Sequence, residues 1–73
     1  MMNNRKIEVG QVRQGEWEDW DGKVISMYHI KSCTGLVEDI DEYYYEIVYL
    51  DGKYKGLTEE FLESEINFDI VVM

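Results

Sequence analysis

Residues 42–57 read EYYYEIVYLDGKYKGL, and five of the chain's six tyrosines fall inside them. Asp51-Gly52 separates two strand-like runs. A two-residue type I′ turn needs positive φ at both central positions, and Asp-Gly supplies them at little cost. Pairing outward from that turn sets Leu50 against Lys53, Tyr49 against Tyr54, Val48 against Lys55 and Ile47 against Gly56. One face then carries Tyr43, Tyr45, Ile47, Tyr49 and Tyr54 with no charge, while the other carries Tyr44, Glu46, Val48 and Lys55. The pattern predicts a hairpin whose Tyr45, Tyr49 and Tyr54 enter a core, with hydroxyls reaching partners or the rim. Tyr43 and Tyr44, at the strand's start, are expected to be exposed.

Outward from the hairpin, glycines at 10, 15, 22, 35, 52 and 56 cut the chain into short pieces. Ile7, Val9 and Val12 suggest a first strand bent at Gly10. GEWEDWDG, residues 15–22, reads as a polar loop holding both Trp17 and Trp20. KVISMYHIKS, residues 23–32, alternates as a strand, and residues 33–42 read as a second, acidic loop. After Gly56, Thr58 is a good N-cap, with Glu59 and Glu60 in a first helical turn and Leu57, Phe61 and Leu62 at helical spacing. INFDIVV, residues 66–72, reads as the closing strand. These readings predict a mainly β domain over residues 7–73, a small five-stranded barrel with a short helical turn before the last strand. Residues 1–6 are expected to form a flexible N-terminus.

The charge is unevenly spread. Of the net −9, residues 1–32 contribute nothing, because five basic residues balance five acidic ones; from Cys33 onward eleven acidic residues face only Lys53 and Lys55. Such a surface repels phosphates, whose capture depends on Lys and Arg, so direct nucleic-acid binding is disfavoured and a basic partner, or simple solubility, is favoured. A lone cysteine allows no internal disulfide and fits a reducing, cytoplasmic setting. No apolar run reaches the roughly 20 residues that a membrane span needs. The lack of alanine and proline, with five lysines to two arginines, suggests an AT-rich bacterial or phage genome.

The run YYEIVYLDGKYKGLTEEFLES resembles the later half of a small SH3-like barrel of the Tudor type. In that family a Y-x-V-x-Y strand meets Asp-Gly, a short strand follows, and a Leu- and Glu-rich helical turn leads to the closing strand. VGQVRQGEWEDWDGKVISMYHI is similar in outline to the earlier half. In chromatin-type members, aromatics cage a methylated lysine or arginine, and the resemblance implies Trp17, Trp20 and Tyr44 near such a position. Glu18 and Asp19, between the tryptophans, depart from the family pattern, and the two tryptophans can equally fold back to cover one end of a small barrel.

Catalytic chemistry has little to stand on. His29 and Cys33 are the only residues of their kinds, and a Cys–His nucleophile needs an orienting third group. WEDWDG fails as a calcium loop because Trp17 and Tyr28 stand at its first and twelfth positions, and one Cys with one His cannot make a zinc quartet. No cofactor is expected. The leading expectation is a non-enzymatic interaction module that holds a basic or cationic partner across Trp17, Trp20, Tyr43 and Tyr44, flanked by Glu18, Asp19 and Asp41. The alternative is an acidic inhibitor that mimics nucleic acid, built from Glu38, Asp39, Asp41 and Glu42 in or beside the second loop and Glu59, Glu60, Glu63 and Glu65 in the helical turn, since residues two apart on a strand lie about 6.6–6.8 Å apart. A monomer is expected, or a weak homodimer through an edge strand at the C-terminus.

Overall fold

The computed structural model describes residues 6–73, so the expected N-terminal tail lies outside the described residues except for Lys6. The chain runs β1 (Val12–Asp19), β2 (Gly22–Val37), β3 (Glu42–Tyr49), β4 (Thr58–Leu62), α1 (Glu63–Ile66) and β5 (Ile70–Val71). All five strands join one antiparallel sheet in the order β4-β3-β2-β1-β5. The expected mainly β fold, with five strands and a short helix before the last, is present.

Its boundaries differ from the sequence pattern in instructive ways. Residues 15–19 continue β1 instead of forming a loop. Their inward positions are Gly15 and Trp17, after Arg13, a set with no hydrophobic rhythm to reveal a strand. The turn shrinks to Trp20-Asp21, closed by the Asp19–Gly22 pair, with Gly22 at φ 122° and the Asp21 N–H donating to Asp19 Oδ1 at 2.8 Å. β2 likewise runs through residues 33–37. Register shifts between Ile30 and Ser32 and between Cys33 and Gly35 mark irregularities of the bulge kind, which bend a strand and raise its twist. One long strand can therefore pair with β1 over its first half and with β3 over its second.

The hairpin at the centre of the sequence exists, but Asp51-Gly52 does not close it. Tyr49 does: its N–H donates to the Leu57 carbonyl at 3.0 Å, and its carbonyl accepts from the Gly56 N–H at 2.9 Å. Asp51 instead bonds the interior of β2, just beyond the Tyr28–Tyr49 end of its ladder with β3. Its Oδ1 accepts the Met27 N–H at 2.8 Å and the Ser26 hydroxyl at 3.2 Å, while its carbonyl accepts the same hydroxyl at 2.8 Å. A carboxylate oxygen thus stands where a strand carbonyl would have extended the ladder. Gly52 then turns the chain at φ 77°, as Asp-Gly foretold.

Thr58–Leu62 is a strand, not a helical turn. Thr58 opposes Val48, Glu59 opposes Ile47 and Phe61 opposes Tyr45, so Glu59 and Phe61 share the inner face. The second edge of β3 needs backbone partners, and that demand outweighs the local helix signals. The helix keeps only Glu63–Ile66, with the Glu65 carboxylate accepting the Leu62 N–H at 2.7 Å. The closing strand contracts to Ile70–Val71, because Ile66 belongs to the helix and the Asp69 N–H folds back to the Ile66 carbonyl at 2.9 Å.

Tyr28, Ile30, Ile47, Tyr49 and Ile66 form the buried cluster, and Ile7, Trp17, Tyr45, Tyr54 and Phe61 pack against it. The tyrosine face is therefore as expected: Tyr49 is buried and Tyr45 and Tyr54 lean on the core. Tyr43 is exposed and Tyr44 half-buried. Among the described residues, no helix is long and apolar enough to cross a membrane.

Candidate functional site: an acid-rimmed aromatic groove

Alternation on three strands brings Trp17 from β1, Tyr49 from β3 and Phe61 from β4 onto one inner face. Trp17 lies 5.8 Å from Tyr49 and 6.4 Å from Phe61 between ring centroids, and Tyr49 lies 6.3 Å from Phe61. Above these rings opens a cavity of about 400 Å³, with Glu16, Glu59, Glu65 and Asp69 around it. A second cavity of about 290 Å³ shares Trp17, Tyr49 and Glu59 and extends past Tyr54 to Leu57. The three shared residues make the two cavities one groove.

The carboxylates around it are held by donors from the fold. The Tyr28 hydroxyl donates to Asp69 Oδ2, and the Tyr49 hydroxyl to Glu59 Oε1. Burial pushes both phenols well above their ordinary range, and the hydrogen-bonded carboxylates push them further, so both stay neutral donors. Burial also raises Asp69, against the opposing pull of the Tyr28 hydrogen bond and the Arg13 charge. Arg13 is wholly buried, and its Nη1 donates to the carbonyls of Ile66 and Asp69 at 3.1 Å each. It pins the segment that carries Asp69 to β1. Glu16 is engaged by Lys23 at 2.7 Å, whereas Glu59 and Glu65 form no ion pair with Lys or Arg among the described residues. An aromatic floor beneath such carboxylates suits a cation, through ring quadrupole and charge together.

The sequence-predicted partner residues divide into two groups. Trp17 forms the groove floor. Trp20 stands at the β1–β2 turn with 92% of its surface exposed, and the Lys53 Nζ lies 5.4 Å from its ring centroid. Lys53 also donates to Asp19 at 2.9 Å, and the Tyr54 hydroxyl donates to the same carboxylate at 2.6 Å. The Tyr54 hydrogen bond and then Lys53 lower Asp19 to about 2. The cation expected beside Trp20 and Asp19 is thus the chain's own Lys53. Glu18 is exposed on the outer face of β1.

Tyr43, Tyr44 and Asp41 lie elsewhere. Trp17 pairs with Val24 near the start of β2, while Tyr44 and Tyr43 pair with Gly35 and Leu36 near its end. Asp41 sits in the β2–β3 turn at φ 56°. One surface spanning all seven predicted residues does not form, and Trp17, Trp20 and Tyr44 do not converge into a cage, because β2 separates them along its length. The sequence pattern set Glu59 and Glu65 in an acidic helical turn and gave no sign that they flank Trp17, and it did not place Phe61 or Asp69 among the contact residues. The signal for Glu59 and Phe61 was their alternation, which the helix reading obscured. No protein-family model, curated protein or solved structure matches the chain.

Proposed function

We propose that this protein is a non-enzymatic binding module that grips a basic or cationic segment of a protein partner in the groove over Trp17, Tyr49 and Phe61. The observation that carries the reading is the presence of Glu59 and Glu65, without basic partners among the described residues, beside three converging rings. A lysine or arginine entering there exchanges water for ring faces and carboxylates. The excess of acid in the second half of the chain attracts the same partner from a distance. The scaffold proposed for this module is the Tudor-type barrel that the sequence resembles.

The test is titration with a short capped peptide rich in lysine, comparing the protein with a Glu59→Gln, Glu65→Gln double variant. Gln keeps an acceptor for Tyr49 and for the Leu62 N–H, so the fold is expected to survive. Each charge-assisted contact is worth about 1.5–3 kcal/mol, and losing two predicts binding weaker by at least about tenfold. A folded double variant with unchanged affinity refutes the groove. Steep loss of binding with salt, combined with indifference to those substitutions, would favour an acidic mimic of nucleic acid instead.

A further inference from the structure

The β1 strand is longer than the strand beside it. Among the described residues, β5 pairs only with Arg13 and Gln14, so residues 15–19 have β2 on one side and no strand on the other. The Val12 N–H donates to the Met73 carbonyl at 2.9 Å, and the Val12 carbonyl accepts from the Val72 N–H at 2.7 Å. Both Val12 backbone groups therefore face the β5 side. In an antiparallel strand every second residue repeats that direction, which assigns Gln14, Glu16 and Glu18 to the same side. Ile70 meets Gln14, and then the chain turns away, because the Asp69 N–H bonds back to the Ile66 carbonyl. The N–H and C=O of Glu16 and Glu18 are left at an open edge about 17 Å long, counting five residues at 3.4 Å each.

That edge also borders the groove, since Glu16 and Trp17 line the same cavity as Glu59 and Glu65. We infer that the partner segment binds as an added β-strand, antiparallel to β1 along residues 15–19 and continuing the line of β5. The inference rests on the groove reading and specifies its binding mode. Peptide residues opposite Gly15 and Trp17 point inward, over the aromatic floor and towards Glu59, Glu65 and Asp69, and these are the basic ones. Residues opposite Glu16 and Glu18 point outward, and their backbone groups make the ladder. Charge selects this occupant over a second copy of the chain, because two molecules of net −9 would set Glu16 and Glu18 against like charges.

The probe is a capped peptide alternating lysine and threonine, made in three forms: unmodified, N-methylated on its threonines, and N-methylated on its lysines. With lysines inward, the threonine amides face β1. Methylating them should weaken binding at least about tenfold, while methylating the lysine amides, which face away, should change it little. Amide exchange at Glu16 and Glu18 should slow on peptide addition, with Gly15 and Trp17, already bonded to β2, as internal references. Binding that responds to Glu59→Gln and Glu65→Gln but not to threonine methylation, with Glu16 and Glu18 unprotected, overturns strand addition and leaves the groove standing. Failure of the unmodified peptide to bind overturns both.

Discussion

Lys53 donates from Nζ to Asp19 Oδ2 at 2.9 Å, joining the β3–β4 connection to the end of β1 across 34 residues of chain. The same amino group lies over Trp20 and, at 5.6 Å, over Tyr54. Aromatic rings and carboxylates around a cation are what the tryptophan loop was expected to offer a partner. Here the cation is the chain's own Lys53, and the proposed partner site lies instead over Trp17, Tyr49 and Phe61.

Asp19 should titrate with a midpoint near 2, against an ordinary 3.8. A depressed carboxylate adds stability that is present above its unfolded pKa and is lost as pH falls through the folded one, so this contribution fades between about 4 and 2. Tyr54→Phe should move the Asp19 midpoint up the most, because its hydrogen bond is the largest cause, and Lys53→Met should move it less. Carboxyl NMR titration of the three proteins reads the order directly.

Asp69 carries the opposite sign. Burial raises it, so it favours the folded state fully below its unfolded pKa and loses that contribution as pH rises through its folded value. Asp69→Asn keeps an acceptor for the Tyr28 hydroxyl and removes the ionisation. Denaturation across pH 3–7 should show the difference between wild type and variant growing in the variant's favour as pH rises. Tyr28→Phe, which strips Asp69 of its donor, should cost about 1–3 kcal/mol.

Gly15 leaves the space that Asp69 occupies. A Cβ there would lie 2.9 Å from Asp69 Oδ2 and 3.1 Å from Trp17 Cζ3. Gly15→Ala should therefore displace the carboxylate from Tyr28, tilt the groove floor, and cost about 1–3 kcal/mol in urea unfolding.

The two tryptophans should respond differently. Trp20→Ala removes a ring at an exposed turn tip and should shift stability by no more than about 0.5 kcal/mol. Trp17→Ala opens a gap against Tyr49 and Phe61, and should cost about 2 kcal/mol or more. Equal effects in thermal melts would contradict the inward packing of Trp17.

Asp51 and Gly52 separate two roles that the sequence merged. Gly52→Ala should cost about 1–2 kcal/mol for its left-handed φ. Asp51→Ala should cost about 1–3 kcal/mol by leaving the Met27 N–H without its acceptor, whereas Asp51→Asn should be nearly neutral. A simple two-residue turn would not make β2 sensitive to residue 51, so loss of amide protection at Met27 in Asp51→Ala is the discriminating observation.

Much of this was legible in residue order. The period-two pattern of residues 42–49 assigned Tyr45, Ile47 and Tyr49 to the core, and Gly52 announced its positive φ. Tyr49 and Tyr54 do meet, at 5.5 Å, although not as ladder partners. The groove was less legible, because two of its carboxylates sit on segments whose local signals were overridden. Glu59 looked like the first turn of a helix, and Asp69 looked like part of a closing strand.

By itself the sequence determined the class of fold, the face each β3 side chain takes, and the concentration of acid after residue 32, since period, turn chemistry and charge are local properties. The tertiary structure alone decided the strand register, which tryptophan turns inward, and where the open edge lies. Those depend on hydrogen-bond partners far away in the chain: Asp51 completing the β2 ladder, β3 recruiting Thr58–Leu62, and Arg13 and Tyr28 holding Asp69 beneath the edge of β1.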